Sequence, residues 1–192
     1  MLSHIVIAVL SLLGSYASAA PPIKRTAYPV GVVRPGPGLP SLESLGLTNE
    51  DLYDPNYLSK RGIVLPSLNS TAIESRQAIR YCTSGPPAEV ANINACQNYL
   101  ASLGTTRCVA PSSGVEMCRA SGADGTIYPA HVIGTARCSG TDSSYCSDVA
   151  PVAGFVIDQC NWFWNNSPHW VAAGGDAARG NGCLQIDVLG DR

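Results

Sequence analysis

Eight cysteines, Cys82, Cys96, Cys108, Cys118, Cys138, Cys146, Cys160 and Cys183, fall in the C-terminal part of this chain, and none precedes them. An even number crowded into about one small domain predicts a disulfide framework with no free thiol. Which cysteine meets which is open, because this many allow many connectivities. The spacings hold no C-x-x-C pair, so a metal site is not expected, and no motif asks for a cofactor.

The start of the chain agrees with an oxidising destination. Residues 1–19 read as a secretory signal peptide. A short apolar run from Ile5 to Leu13 leads to Ala17-Ser18-Ala19, an A-x-A cleavage site ending at Ala19. The run is too short for a bilayer span, which takes roughly 20 apolar residues. No transmembrane span and a secreted, extracellular protein are therefore expected.

Residues 20–61 read as a propeptide or disordered segment. Pro21, Pro22, Pro29, Pro35, Pro37, Pro40 and Pro55 recur through it, glycines interrupt it, and its apolar clusters are short. That composition predicts too little buried surface to offset the entropy of ordering. A weak helical pattern runs through residues 42–52, where Leu42, Leu45 and Leu52 share a face. The chain's lysines, Lys24 and Lys60, are each followed by arginine. Such dibasic pairs resemble the sites of kexin-type processing enzymes. Lys60-Arg61, followed by Gly62, is the better site and predicts a mature chain starting at or after Gly62. Arg76 is a weaker monobasic candidate. Residues 62–80 read as a linker. It carries the glycosylation sequon Asn69-Ser70-Thr71, and a second sequon at Asn165 is followed directly by Pro168.

Residues 81–192 read as one cysteine-rich α+β domain. A strand over 79–82 precedes a helix over 88–103, where Val90, Ile93, Cys96, Leu100 and Leu103 keep helical spacing and Gly104 supplies the stop. Strands over 105–110 and 115–119 flank Pro111-Ser112-Ser113-Gly114, a hairpin signal. A strand over 126–137 contains Pro129, which favours an edge or a bulge. A second helix over 144–160 carries Cys146, Val149, Ala150, Ala153, Ile157 and Cys160 on one face. Pro151 then requires the regular helix to begin near Ser147 or Asp148. Strands over 170–173 and 184–189 close the chain, joined by a flexible glycine-rich loop at 174–182. The expected architecture is an α/β sandwich, two helices packed on one face of a mainly antiparallel sheet, with Cys96 and Cys160 tying helices to sheet or to each other.

Candidate chemistry is sparse. His131 and His169 are the domain's histidines. His131 on a strand, near Glu116 and Arg137 if the strands pair, has the makings of a proton-transfer site in a small secreted ribonuclease. The plainer reading makes His131 a surface strand residue and His169 structural. Trp162, Trp164 and Trp170, with Asn165, Asn166 and His169 among them, form an aromatic and amide-rich run suited to binding carbohydrate or protein. The loop at 174–182 lacks a phosphate-loop lysine. From residue 77 on, acids outnumber arginines and lysine is absent, which argues against nucleic acid as a partner.

Three stretches carry a family likeness: Ser144-Tyr145-Cys146-Ser147-Asp148-Val149-Ala150, Val156-Ile157-Asp158-Gln159-Cys160, and residues 174–184 with Gly180-Asn181-Gly182 before the last strand. Over residues 81–188 the chain resembles small secreted cysteine-rich proteins of filamentous fungi, killer-toxin-like and necrosis-inducing effector-like. The resemblance implies an α/β sandwich, secretion, no cofactor, and action on another organism or cell surface. It carries over no catalytic residues. The expected function is that of a secreted effector- or toxin-like protein that binds an unknown protein or carbohydrate on a target cell. The alternatives are a small secreted hydrolase acting on RNA or cell-wall glycan, and a structural cell-wall protein.

Overall fold

A computed structural model describes residues 30–65, 79–83, 85–122, 128–163 and 170–191. The leader with Ala19, the Lys24-Arg25 pair, Asn69, Arg76, Trp164, Asn165 and His169 lie outside the described residues. In chain order the elements are β1 (Val32–Pro35), α1 (Asn49–Leu52), α2 (Tyr57–Lys60), β2 (Tyr81–Cys82), β3 (Ala88–Glu89) and α3 (Val90–Ser102). They continue with β4 (Arg107–Pro111), β5 (Val115–Ser121), β6 (Ala130–Ala136), β7 (Thr141–Tyr145), α4 (Cys146–Gln159), β8 (Asn161–Phe163), β9 (Trp170–Ala172), β10 (Gly174–Ala178) and β11 (Asn181–Leu189). A 3-10 turn covers Glu43–Leu45.

The main sheet has six strands in the order β1-β5-β6-β11-β10-β2, and every pairing among the described residues is antiparallel. Strand alternation sets its two faces. Ala130, Val132 and Ala136 of β6 and Leu184, Ile186 and Val188 of β11 turn inward. Helix α3 packs on β5 and β6, α4 packs on β10 and β11, and the helices lie against each other. The predicted α/β sandwich is therefore the fold, crosslinked by disulfides.

All eight cysteines pair. Cys96–Cys118 ties α3 to β5, and Cys82–Cys160 ties β2 to the end of α4. Cys108–Cys146 joins β4 to the start of α4, and Cys138–Cys183 joins the β6–β7 turn to β11.

Several local expectations need correction. Pro151 lies inside α4, which begins at Cys146. The early start is fixed because the helix's first amides are satisfied from outside. Cys146 N–H donates to Thr106 O (2.9 Å) and Ser147 N–H to Gly104 O (3.1 Å). Pro129 stands just before β6, and β6 is an inner strand rather than an edge. The turn at Pro111–Gly114 forms, with Gly114 at φ 81°, but β4 and β5 do not pair. It is a corner that sends β4 to β7 and β5 into the main sheet. The glycine-rich stretch is not a flexible loop. Gly174–Ala178 is a fully buried inner strand, and its glycines answer to crowding. A Cβ on Gly174 would sit 2.5 Å from Tyr81 O, and one on Gly175 2.5 Å from Ile186 O.

The largest correction concerns the proline-rich segment. Residues 30–65 are ordered and wrap the domain as a strap. β1 pairs with β5 in the register Val32↔Ser121 to Pro35↔Cys118, so the strap supplies one edge of the main sheet. Pro35 ends that edge strand, where no ladder donor is needed. Val33, Leu47, Leu52 and Tyr57 are buried in the domain's core. Helix α3 explains why this is required. A helix in a two-layer sandwich keeps one wet face, but α3 buries Asn92, Gln97 and Asn98 along with its apolar residues. Its outer polar groups are answered by the strap. Tyr53 O–H donates to Asn92 Oδ1 (2.6 Å), Asn98 Nδ2 to Leu52 O (2.7 Å) and Tyr99 O–H to Pro40 O (2.7 Å), and the Tyr57 and Ser102 hydroxyls bond at 2.7 Å. The linker boundary also moves. Ile63 and Leu65 pack on the core, and Arg80 is already paired within the sheet.

Candidate functional site

Two regions hold the residues singled out above. The first lies on the face of the main sheet away from the helices, where His131, Arg119 of β5 and Leu189 of β11 stand in one cross-strand row. The strap extends the row, since Arg34 is opposite Arg119. His131 keeps only 12% of its side chain exposed. Its Nδ1 bonds the Glu116 carboxylate, and its Nε2 lies 2.7 Å from Asp191 Oδ1, a close contact off the hydrogen-bond direction. Arg119 Nη2 donates to the other Asp191 oxygen at 2.9 Å. The expected Glu116–His131 meeting therefore occurs. The arginine is Arg119, not Arg137. Arg137 donates its backbone N–H to Cys183 O at the far end of β6. His131 is an enclosed residue rather than a simple surface one. Chemically the group is an imidazole clamped by two carboxylates, with two arginines in line with it. Asp191 enters only because β11 pairs with β6, and Arg119 only through the β5–β6 register. Neither is visible in local sequence.

Further along the same face, Tyr81 O–H reaches Asp187 Oδ1 (3.0 Å). Gly175 stands between them in the ladder and offers no side chain to block the path. Burial, and then the Asp187 charge, push the Tyr81 hydroxyl up to about 12, so it remains a donor at neutral pH. Gln185 ties this edge down. Its Oε1 accepts from Ile79 N–H (2.7 Å), and its Nε2 donates to Asp187 Oδ1 (2.9 Å). On the helix side, fully buried Asp176 pairs with Arg80 (Nη2–Oδ2 2.6 Å), whose guanidinium lies over the Phe155 ring. The network docks β2 and is structural.

The second region is the β8–β9 hairpin. Its register pairs Trp162 with Val171 and Phe163 with Trp170. Cross-strand partners share a face and neighbours alternate. Trp162 therefore lies on the face of buried Val171, while Trp170 lies on the opposite face and is 55% exposed. Trp162 and Trp170 therefore do not share one face. Beside Trp162 an open depression is lined by Cys82, Thr83, Gln159, Cys160 and Asn161, over the Cys82–Cys160 disulfide. Asn161 is fixed by a bond from its side chain to Ile157 O.

Among the described residues no cluster of histidine, cysteine and acid side chains has the arrangement of a metal site. No described helix is long and apolar enough to cross a membrane. The dibasic pair Lys60-Arg61 is at the surface. Lys60 is 65% exposed and bridges to Asp54, and exposed Arg61 lies over the Tyr57 ring.

No curated protein and no solved structure matches the chain. A family model described as a domain of unknown function, DUF8794, matches residues 77–190, more than half of the chain, and leaves the strap outside the match. The chain belongs to that family.

Proposed function

We propose that this is a secreted, disulfide-stabilised protein of the effector- or toxin-like kind, which acts by binding a protein or carbohydrate of a target cell through the β8–β9 hairpin. The reading rests on Trp170, a large apolar side chain presented outward from a hairpin that begins next to the Cys82–Cys160 disulfide. An anchored aromatic keeps its contact area at little entropic cost, and such residues dominate binding energy. Trp170→Ala is expected to weaken binding to target cells on the order of thirtyfold. Circular dichroism of the same variant should show the protein still folded. Unchanged binding by a folded Trp170→Ala protein would sink the proposal. Trp162→Ala, on the inner face, should instead lower stability.

The hydrolase reading is kept by one observation, the joined His131–Glu116 pair with Arg119 beside it. Against it stands the same geometry. Both imidazole nitrogens already face carboxylates, whereas a general base needs one free for substrate. Turnover of RNA or cell-wall glycan that disappears in His131→Ala would favour this second reading.

A further inference from the structure

The strap and the dibasic pair lie in one segment, and their arrangement has a consequence. The Arg61–Gly62 bond sits where α2 ends. Gly62 adopts φ 65°, its N–H donates to Ser59 O (3.1 Å), and Ile63 N–H donates to Leu58 O (2.9 Å). Those two bonds form the local closure across the scissile position. A single helical turn is marginal by itself, so it opens readily to give a protease an extended site. The contacts that fasten residues 30–61 are independent of anything beyond this bond: the β1–β5 ladder, Gly36 N–H to Met117 O (2.9 Å), Leu52 in the core, and Tyr53 and Tyr57 on α3. Gly36 fits because nothing larger does. A Cβ there would lie 2.7 Å from Met117 Cα. On the C-terminal side, Ile63 and Leu65 have their own apolar contacts with the core.

We infer that hydrolysis of the Arg61–Gly62 bond by a dibasic-specific endoprotease produces a two-chain protein. The strap then stays seated, without covalent attachment, as an exchangeable peptide ligand on the β5 edge and the outer face of α3. Water adds across the bond, leaving a carboxylate on Arg61 and an amine on Gly62. No other bond changes. What changes is the character of the contact, because an intramolecular strand addition becomes a bimolecular one. The groove beneath is built for an extended peptide. It offers the ladder groups of β5, an apolar site for Leu52, and three polar anchors, Asn92, Asn98 and Ser102, which an empty groove would leave without these partners. The same event makes Arg34, at the end of the His131 row, removable. Processing therefore does not simply discard residues 20–61, and the mature material carries two N termini.

The test uses the full secreted chain. It is treated with a dibasic-specific endoprotease and compared by native and denaturing mass spectrometry with Lys60→Gln/Arg61→Gln. The expected result is cleavage after Arg61, a native mass that still contains the strap fragment, and two separate chain masses in the denaturing spectrum. A fluorescent synthetic peptide of residues 30–61 should exchange into the cleaved protein and not into the uncleavable variant. A peptide carrying Leu52→Ala should compete about thirtyfold or more less well, the ratio expected when a buried leucine is cut to alanine. Loss of the strap fragment from the native mass upon cleavage would overturn the inference. So would failure of the labelled peptide to enter cleaved protein, or resistance of this bond in folded protein under conditions that cut it in unfolded protein.

Discussion

The cysteine domain carries all four disulfides, and the strap at residues 30–65 carries none. Both are ordered, and both contribute residues to one core. The domain is held by covalent loops and by helices laid on a sheet. The strap is held by one short edge strand, a few widely spaced apolar anchors and hydrogen bonds to α3. Burial alone does not separate the two regions, since Leu52 is as enclosed as Ile93. They differ in what happens when contacts open. A crosslinked domain recloses on itself, whereas a strap can leave. One molecule therefore combines a crosslinked unit with a segment that carries no crosslink.

The comparison breaks most sharply at the disulfide with the longest loop. Cys82–Cys160 closes 78 residues of sequence separation and fixes β2 to α4. Replacing both cysteines by alanine should cost about 4–5 kcal/mol by the chain-entropy model, measured by denaturant unfolding. A loss under about 1 kcal/mol would mean that packing, not crosslinking, holds the domain.

A smaller effect is expected across the strap contact. Asn98→Ala deletes the donor to Leu52 O and leaves that buried carbonyl unanswered. The expected cost is about 1–3 kcal/mol. It should appear as easier proteolysis of the strap, with little change in the unfolding of the crosslinked domain. Equal loss in both regions would show that strap and domain open as one unit.

The gentlest probe is pH. Burial raises the Tyr53 hydroxyl, with Glu89 adding to it, and burial alone raises Tyr99. Both groups bond across the strap interface. Groups raised on folding give stability that is complete below the ordinary tyrosine value near 10 and is lost as pH climbs through the folded value. On the acid side, the hydrogen bonds from Thr48 lower Asp51, and the bond from Lys60 lowers Asp54. Their contribution is present above the ordinary aspartate range and fades as pH falls through the lowered values. Strap attachment, followed by limited proteolysis, should therefore hold between these limits and loosen beyond each. Loosening within the neutral range would contradict this assignment.

The domain was legible in sequence where one local signal decides the outcome. Gly104 stops α3, the β6 residues alternate around His131, and the cysteines pair without remainder. The strap was not legible because its anchors, Val33, Leu47, Leu52 and Tyr57, follow no helical or strand period. Its prolines resemble a disordered segment, yet they fall at an edge and in turns. Gly174 and Gly175 misled for a related reason, because their role is to let neighbouring strands come close. At the candidate site, the meeting of His131 and Glu116 was expected if their strands paired, and the register shift between Glu116 and Cys118 brings Glu116 to the His131 face. Asp191, Arg119 and Arg34 needed the register of the main sheet. Trp162 and Trp170 showed the opposite fault, close in sequence but turned to opposite faces by strand alternation.

A strap that is folded but uncrosslinked should be attached less firmly than the domain holds itself together. Native-state hydrogen exchange on the uncleaved chain tests it most directly. Gly36 N–H, which donates to Met117 O, and the β1–β5 ladder amides should be protected and open together, at a lower free energy than the amides of α3 and β6. Exchange of Gly36 and the β1 amides at the rate of an unstructured peptide would contradict it.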